Sequence, residues 1–272
     1  MDYRITAHHA HVFPAFIRVD GKDGTPDALR RLMERCKIEQ CVAFAPFHKQ
    51  LGPADEESNR WLYRELQGQK ELLGFGVINF EAGDLAGQVE RIAGFGFKGI
   101  KIHPAFQKIK IDGEKACEVY AKAQELGLFL SFHTGIHWHR ISDYNMLLFD
   151  EVAYRFPKLR FSMEHLGGYC FFNEGLAVLL NNRRHGDPAP RLYAGLTSVF
   201  DPNENRAWNL SDQKIRDLLW QAGDDCEIFG LDFPYNGEEK VACAISHVKD
   251  MDIPDCSKEK ILGGNLRRLL EL

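Results

Sequence analysis

The chain has 272 residues, 44% of them hydrophobic and 27% charged, which suits a soluble globular protein with a large core. The formal charge of −5 leaves no footing for a polyanionic partner such as nucleic acid, and the basic runs are mere pairs, Arg183-Arg184 and Arg267-Arg268. Seven cysteines without a CxxC pair argue against a thiolate zinc site or a disulfide framework and point to a reducing compartment.

Short apolar runs alternate with segments of helical period along the whole sequence. Ile5 to Val12 is the first predicted strand. Thr25 to Lys37 follows as a helix, with Thr25 as N-cap and Pro26 just inside it. Cys41 to Phe47 is the second strand, Asp55 to Lys70 the next helix, and Leu72 to Phe80 the third strand. Asp84 to Ala93 is helical, Phe97 to His103 is the fourth strand, and Gly113 to Leu126 is a strong helix. Leu128 to His133 is the fifth strand, Asn145 to Phe156 a helix stopped by Pro157, and Leu159 to His165 the sixth strand. Phe171 to Asn182 is helical, Leu192 to Thr197 is the seventh strand, Leu210 to Ala222 a helix with Ser211 as cap, and Glu227 to Asp232 the eighth strand. Ser257 to Leu272 reads as one or two closing helices.

Strand then helix, repeated through a chain of this length, implies a parallel sheet closed into a (β/α)8 TIM barrel, which typically takes about 250 residues. An open doubly wound sheet would favour a glycine-rich loop after the first strand, whereas this strand ends in His-Ala-His-Val-Phe-Pro. The expectation is one barrel domain over residues 1–272. No basic leader and no apolar stretch of about 18 or more residues is present, so a cytoplasmic location away from membranes is expected.

Active sites of such barrels sit at the C-terminal ends of the strands. These ends carry His9-Ala10-His11, Lys101-Ile102-His103, His133, His165 and Asp232. Imidazoles and a carboxylate are the ligands of catalytic zinc. Alternate residues on a strand share a face, about 6.6 Å apart, so His9 and His11 can converge on one ion. By the same parity His8 is expected to face the helices, and Glu164, out of phase with His165, to pair with a surrounding helix. Lys101 and His103 share parity; Lys101 reads as a charge-balancing or substrate-orienting cation. Trp138, Arg140 and the aromatics Phe47, Tyr169, Phe171, Phe172, Phe233 and Tyr235 lie on the loops after the strands. They suit either a flat, carboxylated small molecule clamped by Arg140 or a structural cap.

The ordered set His9-Ala-His11-Val-Phe-Pro, Gly96-Phe-Lys-Gly-Ile-Lys-Ile-His103-Pro, Phe132-His133-Thr-Gly, Met163-Glu-His165-Leu-Gly-Gly and Phe229-Gly-Leu-Asp232-Phe-Pro resembles the amidohydrolase superfamily, in its metal-dependent amidohydrolase 2 branch. The ending Lys260-Ile-Leu-Gly-Gly-Asn265-Leu-Arg-Arg-Leu-Leu is similar to that branch too. The resemblance implies one zinc or manganese ion held by His9, His11, His133 and Asp232, with His165 assisting proton transfer, and it suggests a homodimer. Relatives carry an acid two positions before the His-x-His pair; here that position is Ala7. The expected activity is hydrolysis of a small carbonyl or carboxylated substrate by activated water. The alternatives are metal-dependent, non-oxidative decarboxylation of a small planar acid, and a barrel that binds metal or ligand without turnover.

Overall fold

A computed structural model describes residues 2–51, 57–183, 189–201 and 206–272. Eight parallel strands form a closed barrel: β1 (Ile5–His11), β2 (Ile38–Phe44), β3 (Leu72–Val77), β4 (Gly99–Ile102), β5 (Phe129–His133), β6 (Arg160–Glu164), β7 (Leu192–Thr197) and β8 (Glu227–Phe233). Each strand pairs with its sequence neighbours, and β1 pairs with both β2 and β8 to close the ring. This is the (β/α)8 TIM barrel that the alternation of elements predicts. The strands are buried on both faces, as they must be when helices cover the outside and side chains fill the inside.

Local signals act as read. The Oγ of Thr25 accepts the Ala28 amide at 3.2 Å, and helix α1 (Pro26–Cys36) starts with Pro26 in its first turn. Ser211 caps the helix Asp212–Ala222 through the Lys214 amide at 3.4 Å. The helix expected over Asp55 to Lys70 spans Ser58–Glu65 among the described residues, and Asp55 itself lies outside them. A helix over Glu238–Asp250 is an addition to the predicted set; Val241, Ile245 and Val248 are its buried face.

The tail closes the N-terminal end of the barrel with helices Asp255–Glu259 and Asn265–Leu270, joined by a wide π-helical turn over Lys260–Gly264. Fully buried Asn265 donates through Nδ2 to the carbonyls of Glu227 (2.9 Å) and Asp224 (3.1 Å), fastening the tail to the start of β8. Inside the barrel, the rings of Phe44, Phe75 and Phe129 pack against one another and carry a polar layer above them. Among the described residues, no helix is long and apolar enough to cross a membrane.

Candidate metal centre

The polar layer is built where three strands end in left-handed backbone. His9 has φ 65°, His165 φ 64° and Asp232 φ 58°. At His9 the register between β1 and β8 shifts, so a bulge interrupts strict alternation. Two adjacent side chains, His8 and His9, therefore both enter the barrel. This corrects the parity expectation for His8. Its ring meets Phe44, Phe75 and Phe129 at centroid distances of 5.3, 5.4 and 6.3 Å, inside the barrel and away from the helices. The turn at His165 has the same effect on β6. Glu164 is fully buried in the barrel and makes no pair with a surrounding helix.

Glu164 is the hub of this layer. One carboxylate oxygen receives His9 Nδ1 at 2.9 Å and Thr197 Oγ1 at 2.8 Å. The other lies 3.3 Å from His8 Nδ1, 3.4 Å from Ser131 Oγ, and in a very short hydrogen bond from Ser162. Burial pushes the Glu164 carboxyl up, but the charges and hydrogen bonds of His8 and His9 outweigh this and hold it well below the usual carboxylate range. The acid that Ala7 does not supply on β1 thus arrives from β6.

His9, His11 and Asp232 present ligand atoms that all lie within 4.8 Å of one another. Asp232 Oδ1 is 3.6 Å from His9 Nε2 and 3.9 Å from His11 Nε2. Its other oxygen accepts Ser198 Oγ at 2.8 Å, and Ser198 is held in turn by Asn236 Nδ2 at 2.9 Å. The carboxylate is therefore oriented, with Oδ1 toward the two imidazoles.

Hydrogen bonding fixes which ring nitrogen His9, His165 and His133 offer. His9 gives its Nδ1–H to Glu164, leaving the Nε2 lone pair. His165 gives its Nδ1–H to the Thr197 carbonyl at 2.7 Å, and its buried Nε2 has no partner. His133 gives its Nε2–H to the Gly135 carbonyl at 2.7 Å, leaving Nδ1. Burial depresses His9, His11, His103 and His133 well below the ordinary imidazole range, and the charge of Lys101 adds to this at all four, at His133 behind the effects of His103 and His165. Burial and Lys101 together bring His165 down to about 3. Neutral imidazoles with one tethered nitrogen and a lone pair on the other are the form that binds a metal ion, although at His9 that lone pair faces Lys101. The donor set fits a divalent cation.

The remaining expected residues divide in two. Lys101 is fully buried, its Nζ 3.3 Å from His9 Nε2 and 5.1 Å from the Phe44 ring centroid. Burial lowers its pKa to about 8 against the opposing pull of Glu164 and Asp232; burial likewise raises Asp232 to about 6 against its Ser198 hydrogen bond and Lys101. His103 stacks flat on His133, centroids 3.8 Å apart; ring nitrogens of these two and of His137 lie within 4.8 Å of one another, a grouping in which His133 is the one expected ligand. Trp138 is 94% exposed, and the Arg140 side chain, 82% exposed, pairs with Asp143 at 3.1 Å. Sequence reading passed over Trp208. Its indole stacks on His165 at 4.1 Å and donates to the Ile136 carbonyl at 2.8 Å, joining the loops after β5, β6 and β7.

A family model described as Amidohydrolase matches residues 6–272. Among solved structures, an uncharacterized TIM-barrel protein from Bordetella bronchiseptica shares 17% identity at a TM-score of 0.78, covering 98% of each chain. A protein described as a 2-pyrone-4,6-dicarboxylic acid hydrolase from Pseudomonas putida shares 18% at 0.71, covering 100% of this chain and 98% of its own. A dihydroxybenzoic acid decarboxylase from Polaromonas, with bound manganese and the inhibitor 2-nitroresorcinol, shares 15% at 0.71 with the same coverage. At these identities the likeness is one of fold. No curated protein matches the sequence.

Proposed function

Because the chain belongs to the amidohydrolase family of enzymes, we propose that His9, His11 and Asp232, completed by Nδ1 of His133, hold one zinc or manganese ion and that the protein is a metal-dependent hydrolase of a small carbonyl or carboxylated substrate. The observation that carries this reading is the convergence of His9, His11 and Asp232 beside the unpartnered Nε2 of His165. A divalent ion bound there supplies Lewis acidity, which brings the pKa of a coordinated water from 15.7 to roughly 7 and polarises a carbonyl.

The chain's own residues do the rest. Asp232 keeps one oxygen on Ser198 and turns the other toward the centre, where it can accept a proton. His165 is held by the Thr197 carbonyl and by the Trp208 face, so its Nε2 is aimed without freedom to swing. That lone pair is placed to accept a proton from water and to hand it on to a leaving atom. Glu164 fixes the tautomer and ring angle of His9. Lys101 offsets one of the two buried carboxylate charges, Glu164 and Asp232, leaving a net negative centre suited to a cation.

Metal analysis of purified protein, followed by a panel of esters, lactones and aromatic acids in 18O-labelled water, tests the proposal. One equivalent of metal and 18O in the product are expected. Absence of bound metal after reconstitution would overturn the centre. Carbon dioxide release without 18O would replace hydrolysis by decarboxylation, which the same residues support through protonation at carbon.

A further inference from the structure

One buried histidine at the barrel mouth has its lone pair engaged and its N–H left without a partner. His103 ends β4 and opens the short helix Pro104–Gln107, where its Nδ1 accepts the Phe106 amide at 3.3 Å. A ring nitrogen that accepts carries no proton, so the proton of this imidazole sits on Nε2. That Nε2 is buried and has no hydrogen-bond partner. Buried donors in folded proteins are paired, and an orphan one calls for a reason.

A second cation is the first reason to weigh, because ring nitrogens of His103, His133 and His137 lie within 4.8 Å of one another. The geometry speaks against it. The His103 and His133 rings are nearly parallel, 12° apart in plane and 3.8 Å between centroids. Stacked rings send their in-plane lone pairs side by side and do not aim them at a common point. His103 would also have to surrender its bond to Phe106 before Nε2 could ligate. What remains is a neutral N–H donor in a group made of imidazoles alone.

The aromatic rings between this donor and the proposed metal trio form a continuous wall. His11 meets Phe47 at 6.5 Å, Phe47 meets Phe106 at 5.2 Å, and Phe106 meets His103 at 5.8 Å. A flat apolar body lying along such a wall would bring an acceptor to the His103 end.

We propose that His103 is a specificity-determining residue whose Nε2–H receives an anionic oxygen of the substrate, the carboxylate of a small planar acid lying along Phe47 and Phe106. The proposal rests on the reading of His9, His11 and Asp232 as the metal centre. It adds which atom selects the substrate and by what bond.

The test uses the full chain loaded with manganese, with binding of 2,6-dihydroxybenzoate and of resorcinol, the same ring without the carboxylate, measured by calorimetry. His103→Asn keeps an oxygen where Nδ1 accepts Phe106, so the helix start survives, and it removes the outer donor. His103→Gln places an amide N–H near the position of Nε2. Wild type is expected to prefer the carboxylated ring by about tenfold or more, as a hydrogen bond to a charged group allows. His103→Asn should lose that preference and retain one metal per chain, while His103→Gln should recover part of it. No binding of the carboxylated ring by wild type, no preference, or an undiminished preference in His103→Asn overturns the proposal. Two metals in wild type and one in His103→Asn would also overturn it, in favour of a second cation site. Failure of the metal reading shows separately, as wild-type protein that takes up no manganese.

Discussion

Replacing Glu164 by Gln isolates what one buried charge contributes to the metal centre. The substitution keeps the shape and one carbonyl oxygen, which can still accept His9 Nδ1 where Oε2 does now at 2.9 Å. The amide nitrogen then faces Ser131, Ser162 and His8, whose oxygens and free nitrogen can accept from it. Most of the hydrogen bonds can reform, two of them through the amide N–H groups, and the negative charge is gone. His9 becomes a weaker electron donor, and Lys101 loses one of the two acids that favour its charged form, so the site turns more positive. Loss of a carboxylate behind a ligating histidine typically costs 10–100-fold in metal affinity, or roughly 1.4–2.7 kcal/mol. Glu164→Ala is a different experiment, since it leaves the donors of His9, Thr197, Ser131 and Ser162 unsatisfied in a sealed interior. Each such orphan costs about 1–3 kcal/mol, so global destabilisation is expected. Competition with a chromophoric chelator measures affinity, and thermal melting measures stability. A Glu164→Gln protein that binds zinc within twofold of wild type would refute the role given to this carboxylate.

Other expectations follow from the same packing. His133→Ala should cut metal content at least tenfold; full retention, measured by atomic absorption, would show that His9, His11 and Asp232 suffice. Burial raises the carboxyl of Glu227 to about 8, above its ordinary value, so its contribution to stability is complete below about pH 4.5 and is lost as pH rises through about 8. Chemical denaturation should therefore show stability falling by about 3 kcal/mol between pH 5 and 8, and Glu227→Gln should flatten that slope. Trp208→Leu removes the face against His165 and should lower kcat more than KM, whereas Trp208→Phe, which keeps an aromatic ring, should retain most of kcat. Thr25→Ala deletes the cap of α1 and should cost about 1 kcal/mol in urea unfolding.

The barrel was legible because its signals are local and repeated: apolar runs at strand length, caps such as Thr25 and Ser211, and histidines at the strand ends. Parity was a safe guide only where backbone stays extended. It failed at His8 and Glu164, because His9 and His165, their neighbours, adopt left-handed φ, and no residue type announces that in advance. The helix over Glu238–Asp250 did carry a signal, Val241, Ile245 and Val248 at helical spacing, in a segment left unassigned between the last strand and the tail. The grouping of His103 with His133 and His137 was not legible, since ring orientation depends on partners brought from other strands and loops. Nor could sequence alone reveal that Glu164 replaces the acid absent at Ala7, because the two positions are far apart in the chain.

Lys101 has a consequence for how the protein comes to hold its ion. Its ammonium lies 3.3 Å from Nε2 of His9, a nitrogen of the proposed metal centre, and offsets part of the charge of Glu164 and Asp232. A cation entering the proposed centre would meet a resident rival for one ligand, which would favour ions that bind imidazole strongly.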